Sequence, residues 1–134
     1  EVDEDHLDAL SVAIKTNEDI TRIFKTLVLL NEKKEMIVAC IPGLEKLDLK
    51  KLAKISGSKK VEMLPMKDLF SMTGYLRGGC SPIAIKKRHT AFIHNSATDN
   101  ETILISGGLR GLQIEISPQK LIDYLNLKVA DIIE

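Results

Sequence analysis

Tryptophan is absent, and two tyrosines and three phenylalanines are the whole aromatic complement of the 134 residues. So few rings argue against a conventional platform for stacking unpaired bases. They also leave the core to Ile, Leu, Val, Ala and Met. Two cysteines, Cys40 and Cys80, are too few for a disulfide framework and lack metal-ligand spacing, which points to a reducing compartment. Cys40 sits in the apolar run Met36 to Ile41 and reads as a core residue. No apolar run approaches a membrane span and no secretory signal core is present, so the expected location is cytoplasmic, with no membrane partner. No repeat, low-complexity tract or Pro/Gly/Ser linker divides the chain. With 44% hydrophobic and 28% charged residues, a single globular domain over 1–134 is expected. The first residue is Glu1 rather than Met, and further residues are expected ahead of it.

Net charge is also missing, but the zero hides an asymmetry. Residues 1–45 carry ten acids against five bases, residues 46–88 eleven bases against three acids, and residues 89–134 six acids against three bases. The basic middle third includes Lys50, Lys54, Lys86 and Lys87. On charge alone it reads as a solvated face before it reads as a phosphate-facing patch.

Periodicity predicts a helix over Asp8 to Lys15 and a strand over Ile23 to Leu30. The polar turn Asn31 to Lys34 leads to a second strand, Glu35 to Ile41, which makes the pair a hairpin. Asp48 can cap a helix to Ile55 with Leu49, Leu52, Ala53 and Ile55 inward, stopped by Gly57. Short strands follow at Lys60 to Met63, Ala91 to His94, Thr102 to Ile105 and Leu112 to Ile116. Pro65 opens a helix through Met72, and Ser117-Pro118 opens another to Leu125. Short strands interrupted by short helices, without regular alternation, predict an α+β fold: a mixed, largely antiparallel, curved or barrel-like sheet with flanking helices.

Few residues invite chemistry. Lys25 stands inside an otherwise almost wholly apolar strand, on the face of Ile23, Leu27 and Leu29. Burying an unpartnered ammonium is costly, so it must reach water at the strand end, snorkel, or enter a polar pocket. In a pocket it can donate to a phosphate or carbonyl oxygen, or act as a base. The segments Gly74 to Pro82 and Ser106 to Gly111 are rich in glycine, which permits positive φ and close approach of a ligand to the backbone. Neither is a P-loop or a dinucleotide fingerprint, and each alone is most simply a tight turn. Cys80 follows two glycines, yet nothing near it in sequence would activate a nucleophile. His89 and His94 fall on opposite strand faces, and His6 is distant, so neither a metal site nor a cofactor is expected. No Ser-His-Asp order can be read.

Phe24-Lys-Thr-Leu-Val28, Gly74-Tyr-x-x-Gly-Gly-x-Ser-Pro82 and Ser106-Gly-Gly-Leu-Arg-Gly111, in that order and spacing, resemble the YbaK-type aminoacyl-tRNA deacylases. Within them the chain looks most like the branch that hydrolyses cysteinyl-tRNA(Pro), and the likeness runs from about Leu7 to Ile133. The resemblance implies a curved mixed sheet with flanking helices and a trans-editing hydrolase acting on mischarged tRNA in translation. It implies that Lys25 is the essential lysine and Thr26 its neighbour at the site. Gly78, Gly79, Cys80, Ser81 and Pro82 match the loop that holds the aminoacyl end by backbone contacts. Ser106, Gly107 and Gly108 match the second pocket wall. Gln113 stands where a carboxylate is expected, and an aromatic that lines the family pocket would precede Glu1.

An aminoacyl ester is already activated, so positioning and charge stabilisation suffice. The resemblance further implies that a cysteinyl substrate attacks its own ester through its thiol, which accounts for the missing triad. It turns the lysines Lys50, Lys54, Lys86 and Lys87 into candidates for the tRNA backbone, and prolyl-tRNA synthetase into a candidate partner. The rival is a non-catalytic module that binds aminoacyl-tRNA or regulates a synthetase. A Cys80-dependent thiol hydrolase is a third reading.

Overall fold

The computed structural model describes residues 20–134; the helix expected over Asp8 to Lys15 lies outside them. Strands β1 (Phe24–Asn31) and β2 (Met36–Pro42) form the expected antiparallel hairpin. Its turn is set by one side chain: Asn31 Oδ1 accepts from the Lys33 and Glu35 amides, both at 2.9 Å. All of β2 is buried. Met36, Val38 and Cys40 enter one core, and Ile37, Ala39 and Ile41 enter another on the opposite face. A continuous apolar run is the pattern of a strand covered on both sides.

Helix α1 (Leu49–Ile55) starts where Asp48 Oδ1 accepts from the Lys51 amide at 3.0 Å. Leu52 and Ala53 are buried against the second core, but Leu49 and Ile55 are 42% and 50% exposed rather than inward. Two turns of helix present too narrow a stripe to bury all four. Strand β3 (Val61–Met63) pairs antiparallel with the C-terminal half of β1. After Pro65 the expected helix begins as a 3-10 turn, Met66–Asp68, and becomes α-helical only in α2 (Leu69–Thr73), which Gly74 ends at φ +82°.

Strand β4 (His89–His94) pairs parallel to β2, and β7 (Lys128–Ala130) pairs parallel to β4. Strands β5 (Ile103–Ser106) and β6 (Gln113–Ile116) form a second antiparallel hairpin. Helix α3 (Pro118–Leu125) is capped by Ser117 and ends on Asn126 in the left-handed region. The five-stranded sheet has the order β3-β1-β2-β4-β7. Three of the five strand pairings are antiparallel, so the sheet system is mixed and largely antiparallel, as expected.

Curvature comes from β1, which serves two neighbours on one edge. Its C-terminal half holds β3, while Ile23, just before it, makes a parallel bridge to Leu104 of β5. The main core lies between the sheet, the β5–β6 hairpin and α3, with Phe24, Val38, Ile93, Ile103, Ile105 and Leu121 at its centre. The second lies beneath α1, around Leu29, Ile41 and Phe92.

Candidate active site

Strand alternation fixes where Lys25 points. It opposes Ile41 across the hairpin and shares the face of the α1 core, whereas Thr26 opposes Cys40 and faces the main core. Thr26 Oγ1 lies 3.9 Å from Cys40 Sγ. The two adjacent candidates therefore present their side chains to opposite faces. Lys25 is half-buried, and among the described residues no carboxylate stands in ion-pair contact with its ammonium.

The Ile23–Leu104 bridge decides what lies beside Lys25. Carried two residues beyond the bridge along both chains, that register would bring Lys25 level with Ser106, and Ser106 is paired across the hairpin with Gln113. Lys25, Ser106 and Gln113 would thus share one face. The side-chain carbonyl oxygen of Gln113 is buried and accepts no hydrogen bond among the described residues. A buried amide oxygen without a donor is costly to keep. Here it stands within one strand spacing of an unpaired cation's neighbour.

The two glycine segments meet backbone to backbone. A Cβ on Gly79 would stand 3.1 Å from the Gly108 carbonyl oxygen and 3.2 Å from Arg110 N. A Cβ on Gly78 would meet the Arg110 side chain at 3.1 Å, and one on Gly108 would meet the Tyr75 ring at 3.2 Å. Two segments that sequence could read only as separate turns are one structure.

Three of their glycine amides are committed to that structure. Gly79 N donates to the Leu76 carbonyl at 3.0 Å and Gly107 N to the Leu112 carbonyl at 2.8 Å. Gly108 N donates to Ser106 Oγ at 3.2 Å. The expectation that loop amides hold the ester carbonyl therefore loses these three donors. Further along, Ser81 is buried and its Oγ accepts from Ile83 N at 3.2 Å, while the Tyr75 hydroxyl donates to the Ile83 carbonyl. Pro82 is buried too. Gly78 to Pro82 form a braced loop.

Cys80 is half-buried against the main core. Cys40 is fully buried, and burial pushes its thiol up to about 12, so it is inert as a nucleophile at neutral pH. His89 Nδ1 lies 2.7 Å from the Lys87 carbonyl oxygen. His94 is buried, with Nδ1 2.9 Å from Ser96 Oγ and Nε2 3.4 Å from Asp131. It lines a cavity of about 300 Å³ with Ile20, Pro42, Leu44 and Asn100 at the start of β1. From sequence, His94 is offered as a metal ligand and, through the fold alone, as an activator of Cys80. Its position at the end of an apolar strand was the available signal.

The basic third is divided by the sheet. Lys50 and Lys54 are exposed on α1, which packs on the Lys25 face. Lys86 and Lys87 are exposed beside Ile85, which belongs to the main core on the other face. They lead into β4 level with Met36, at the far end of β1 from Lys25, roughly 17 Å away at strand rise. Lys51 and Lys60 are engaged with Asp131 and Glu62 at 3.0 Å and 2.9 Å.

Residues 4–124 match the family model of the aminoacyl-tRNA editing domain. A protein of Enterococcus faecalis named as a Cys-tRNA(Pro)/Cys-tRNA(Cys) deacylase, EbsC, is 50% identical over 129 residues, covering 96% of this chain and 79% of its own. A crystal structure of a hypothetical protein superposes with a TM-score of 0.88 at 23% identity, over 94% of this chain and 83% of that one. Another, described as a trans-editing enzyme for prolyl-tRNA synthetase, has a TM-score of 0.86 at 21% identity, over all of this chain and 84% of that one. The two solved structures share the fold. With a family model over most of its length and a half-identical relative, the chain belongs to the aminoacyl-tRNA editing domain family, whose reaction is the deacylation of mischarged tRNA.

Proposed function

We propose that this chain, acting as a single editing domain in the cytoplasm, releases cysteine from Cys-tRNA(Pro). The half-identical relative named for that substrate supports the choice. The observation that carries the mechanism is Lys25: a half-buried cation without a carboxylate among the described residues, on the strand face toward which the Ile23–Leu104 register would bring Ser106 and the buried Gln113 oxygen that accepts no hydrogen bond among them. Such a cation is poised for an oxygen that arrives with the substrate.

In this reading the Lys25 ammonium donates to the ester carbonyl oxygen and stabilises negative charge as it develops there. The Gln113 oxygen accepts from the substrate's α-ammonium. The braced Gly78–Pro82 loop and the Ser106–Gly108 wall hold the ester by shape, since the amides of Gly79, Gly107 and Gly108 are already bonded. The substrate's thiol sulfur attacks the carbonyl carbon and forms a C–S bond. The C–O ester bond breaks, and the thiol proton passes to the departing ribose oxygen. Water then opens the cyclic thioester to free cysteine. Proximity supplies the nucleophile, so no triad is needed. A second site of this kind is required because pocket affinity separates near-isosteric amino acids poorly. Prolyl-tRNA synthetase is the proposed source of the substrate.

The test is to incubate the protein with tRNA(Pro) charged separately with Cys, Ala and Pro, and to repeat it with Lys25→Ala. Catalytic release of cysteine is expected, largely lost in the variant at unchanged Tm. Protection of the ester without turnover would make the chain a binding module. Wild-type rates in Lys25→Ala would remove the lysine from the reaction.

A further inference from the structure

The two glycine segments contain the same tripeptide in the same conformation. Leu76-Arg77-Gly78-Gly79 closes with Gly79 N donating to the Leu76 carbonyl at 3.0 Å, and Leu109-Arg110-Gly111-Leu112 closes with Leu112 N donating to the Leu109 carbonyl at 3.0 Å. The glycine third in each has φ near +85°, at +82° for Gly78 and +86° for Gly111. A turn that needs positive φ at its third residue selects glycine there. The two turns are in contact: the Arg110 side chain lies across Gly78, and Gly79 abuts the Gly108–Arg110 backbone. Each turn exposes its leading leucine, Leu76 by 68% and Leu109 by 69%. Leu112, 49% exposed, extends the apolar surface.

We infer that these twin turns are the lip over which the unpaired 3′-terminal nucleotides of the tRNA substrate cross before the esterified ribose reaches Lys25. The inference rests on the deacylase reading. Continuity supports it: the second turn grows directly from Ser106–Gly108, the proposed wall of the Lys25 site, and so borders a way out for a polynucleotide joined to the ester. The chemistry of the lip suits that occupant. An exposed leucine gives the face of a base an apolar surface, in a chain with almost no rings to stack on, and Arg110, exposed in the second turn, supplies charge for the phosphate that follows. The arrangement repeats once per turn, as a strand of nucleotides does. Base identity is not read by such contacts, so the lip accepts the common end of any tRNA and leaves discrimination to the pocket.

The experiment compares two esters: Cys-tRNA(Pro), and 3′-O-cysteinyl-adenosine, which keeps the terminal nucleoside and lacks every preceding nucleotide. In the double variant Leu76→Ser, Leu109→Ser, KM for the tRNA ester rises about five- to tenfold, the lower range for losing a base contact, while kcat/KM for the adenosine ester stays at the wild-type value. Arg110→Gln lowers the slope of log affinity against log salt for the tRNA by about 0.7, the single-strand value for one phosphate. Thermal melts check that the exposed substitutions leave the fold intact. Equal losses on both esters would mean that the turns only shape the pocket, and unchanged KM on both would mean that nothing crosses them; either overturns the inference. So would a defect seen only when prolyl-tRNA synthetase delivers the substrate, since the lip would then dock protein. Wild-type protein inert toward both esters overturns the deacylase reading itself, and this inference with it.

Discussion

Replacing Gly79 by alanine tests the seam between the two glycine segments. The backbone at Gly79 is not in the positive-φ region, so conformation does not demand glycine there. Contact does. The added Cβ would lie 3.1 Å from the Gly108 carbonyl oxygen and 3.2 Å from Arg110 N and Leu109 C, all backbone atoms with no side-chain freedom to yield. Ordinary separations are about 3.5 Å or more, so the loops must part by about 0.3–0.4 Å. Overpacking of this kind costs about 1–3 kcal/mol. Misplacement by about 1 Å can cost about a hundredfold in rate, and the same scale gives roughly four- to sixfold for this opening. Gly111→Ala is the control: it has φ +86° and no neighbour within 4 Å, so it loses about 1–2 kcal/mol to left-handed strain without opening the seam. Single-turnover deacylation below both melting transitions separates the effects. Both variants should melt several degrees early, and only Gly79→Ala should turn over slowly. A Gly79→Ala enzyme at the wild-type rate, or a Gly111→Ala enzyme equally slow, refutes the reasoning.

Cys80→Ser should keep substantial activity in the deacylation assay, and alkylation of the native protein should leave Cys40 unlabelled until the fold is lost, which mass spectrometry of the labelled chain reads. Because the sheet divides the lysines, Lys50→Gln with Lys54→Gln should flatten the salt dependence of tRNA binding, while Lys86→Gln with Lys87→Gln should not, and a filter-binding salt titration of the two pairs decides it. The Glu115 carboxyl is held below its ordinary range by hydrogen bonds from Thr102 and Arg22. A depressed carboxyl contributes stability above its unfolded pKa and loses it as pH falls through the folded one. Glu115→Gln should therefore lower Tm at neutral pH, with the difference vanishing on acidification below the carboxylate range; a pH-independent difference would exclude the linkage.

Where structure depends on neighbours in sequence, the chain announced it. Asp48 and Ser117 cap the helices they were read to cap, Gly74 ends α2, and Asn31 to Lys34 turn the first hairpin. What escaped was non-local. Nothing in Ala91 to His94 shows that β4 lies parallel to β2, and three residues at Lys128–Ala130 are too short to declare a strand before β4 offers an edge. Lys25 stood out because a cation in an apolar strand is locally anomalous. Gln113 was noticed only as a departure from a family pattern; that its carbonyl is buried and unbonded needed the fold. For Gly79 the requirement is steric and comes from a segment some thirty residues away, whereas the sequence suggested a torsional one. Leu-Arg-Gly occurs twice, at 76–78 and 109–111, too short to mark a repeat in sequence, and only the contact between the turns gives the recurrence a meaning.

Among the described residues the β5–β6 hairpin makes one backbone bridge to the chain beside β1, Ile23 to Leu104, and is otherwise held by side chains, Ile103 and Ile105 in the main core and Arg22 on Thr102 and Glu115, while carrying one wall of the candidate site. A unit held by side-chain packing more than by a ladder can shift against the sheet before the sheet's own ladders open. Function would then have a lower melting point than the fold. On warming, activity should fade while most amides remain protected from exchange, and a bound aminoacyl end, by bridging the hairpin to β1, should close that gap. A hairpin that shifts in this way would also open a way out for products, so the packing that holds this wall would act on turnover as well as on stability.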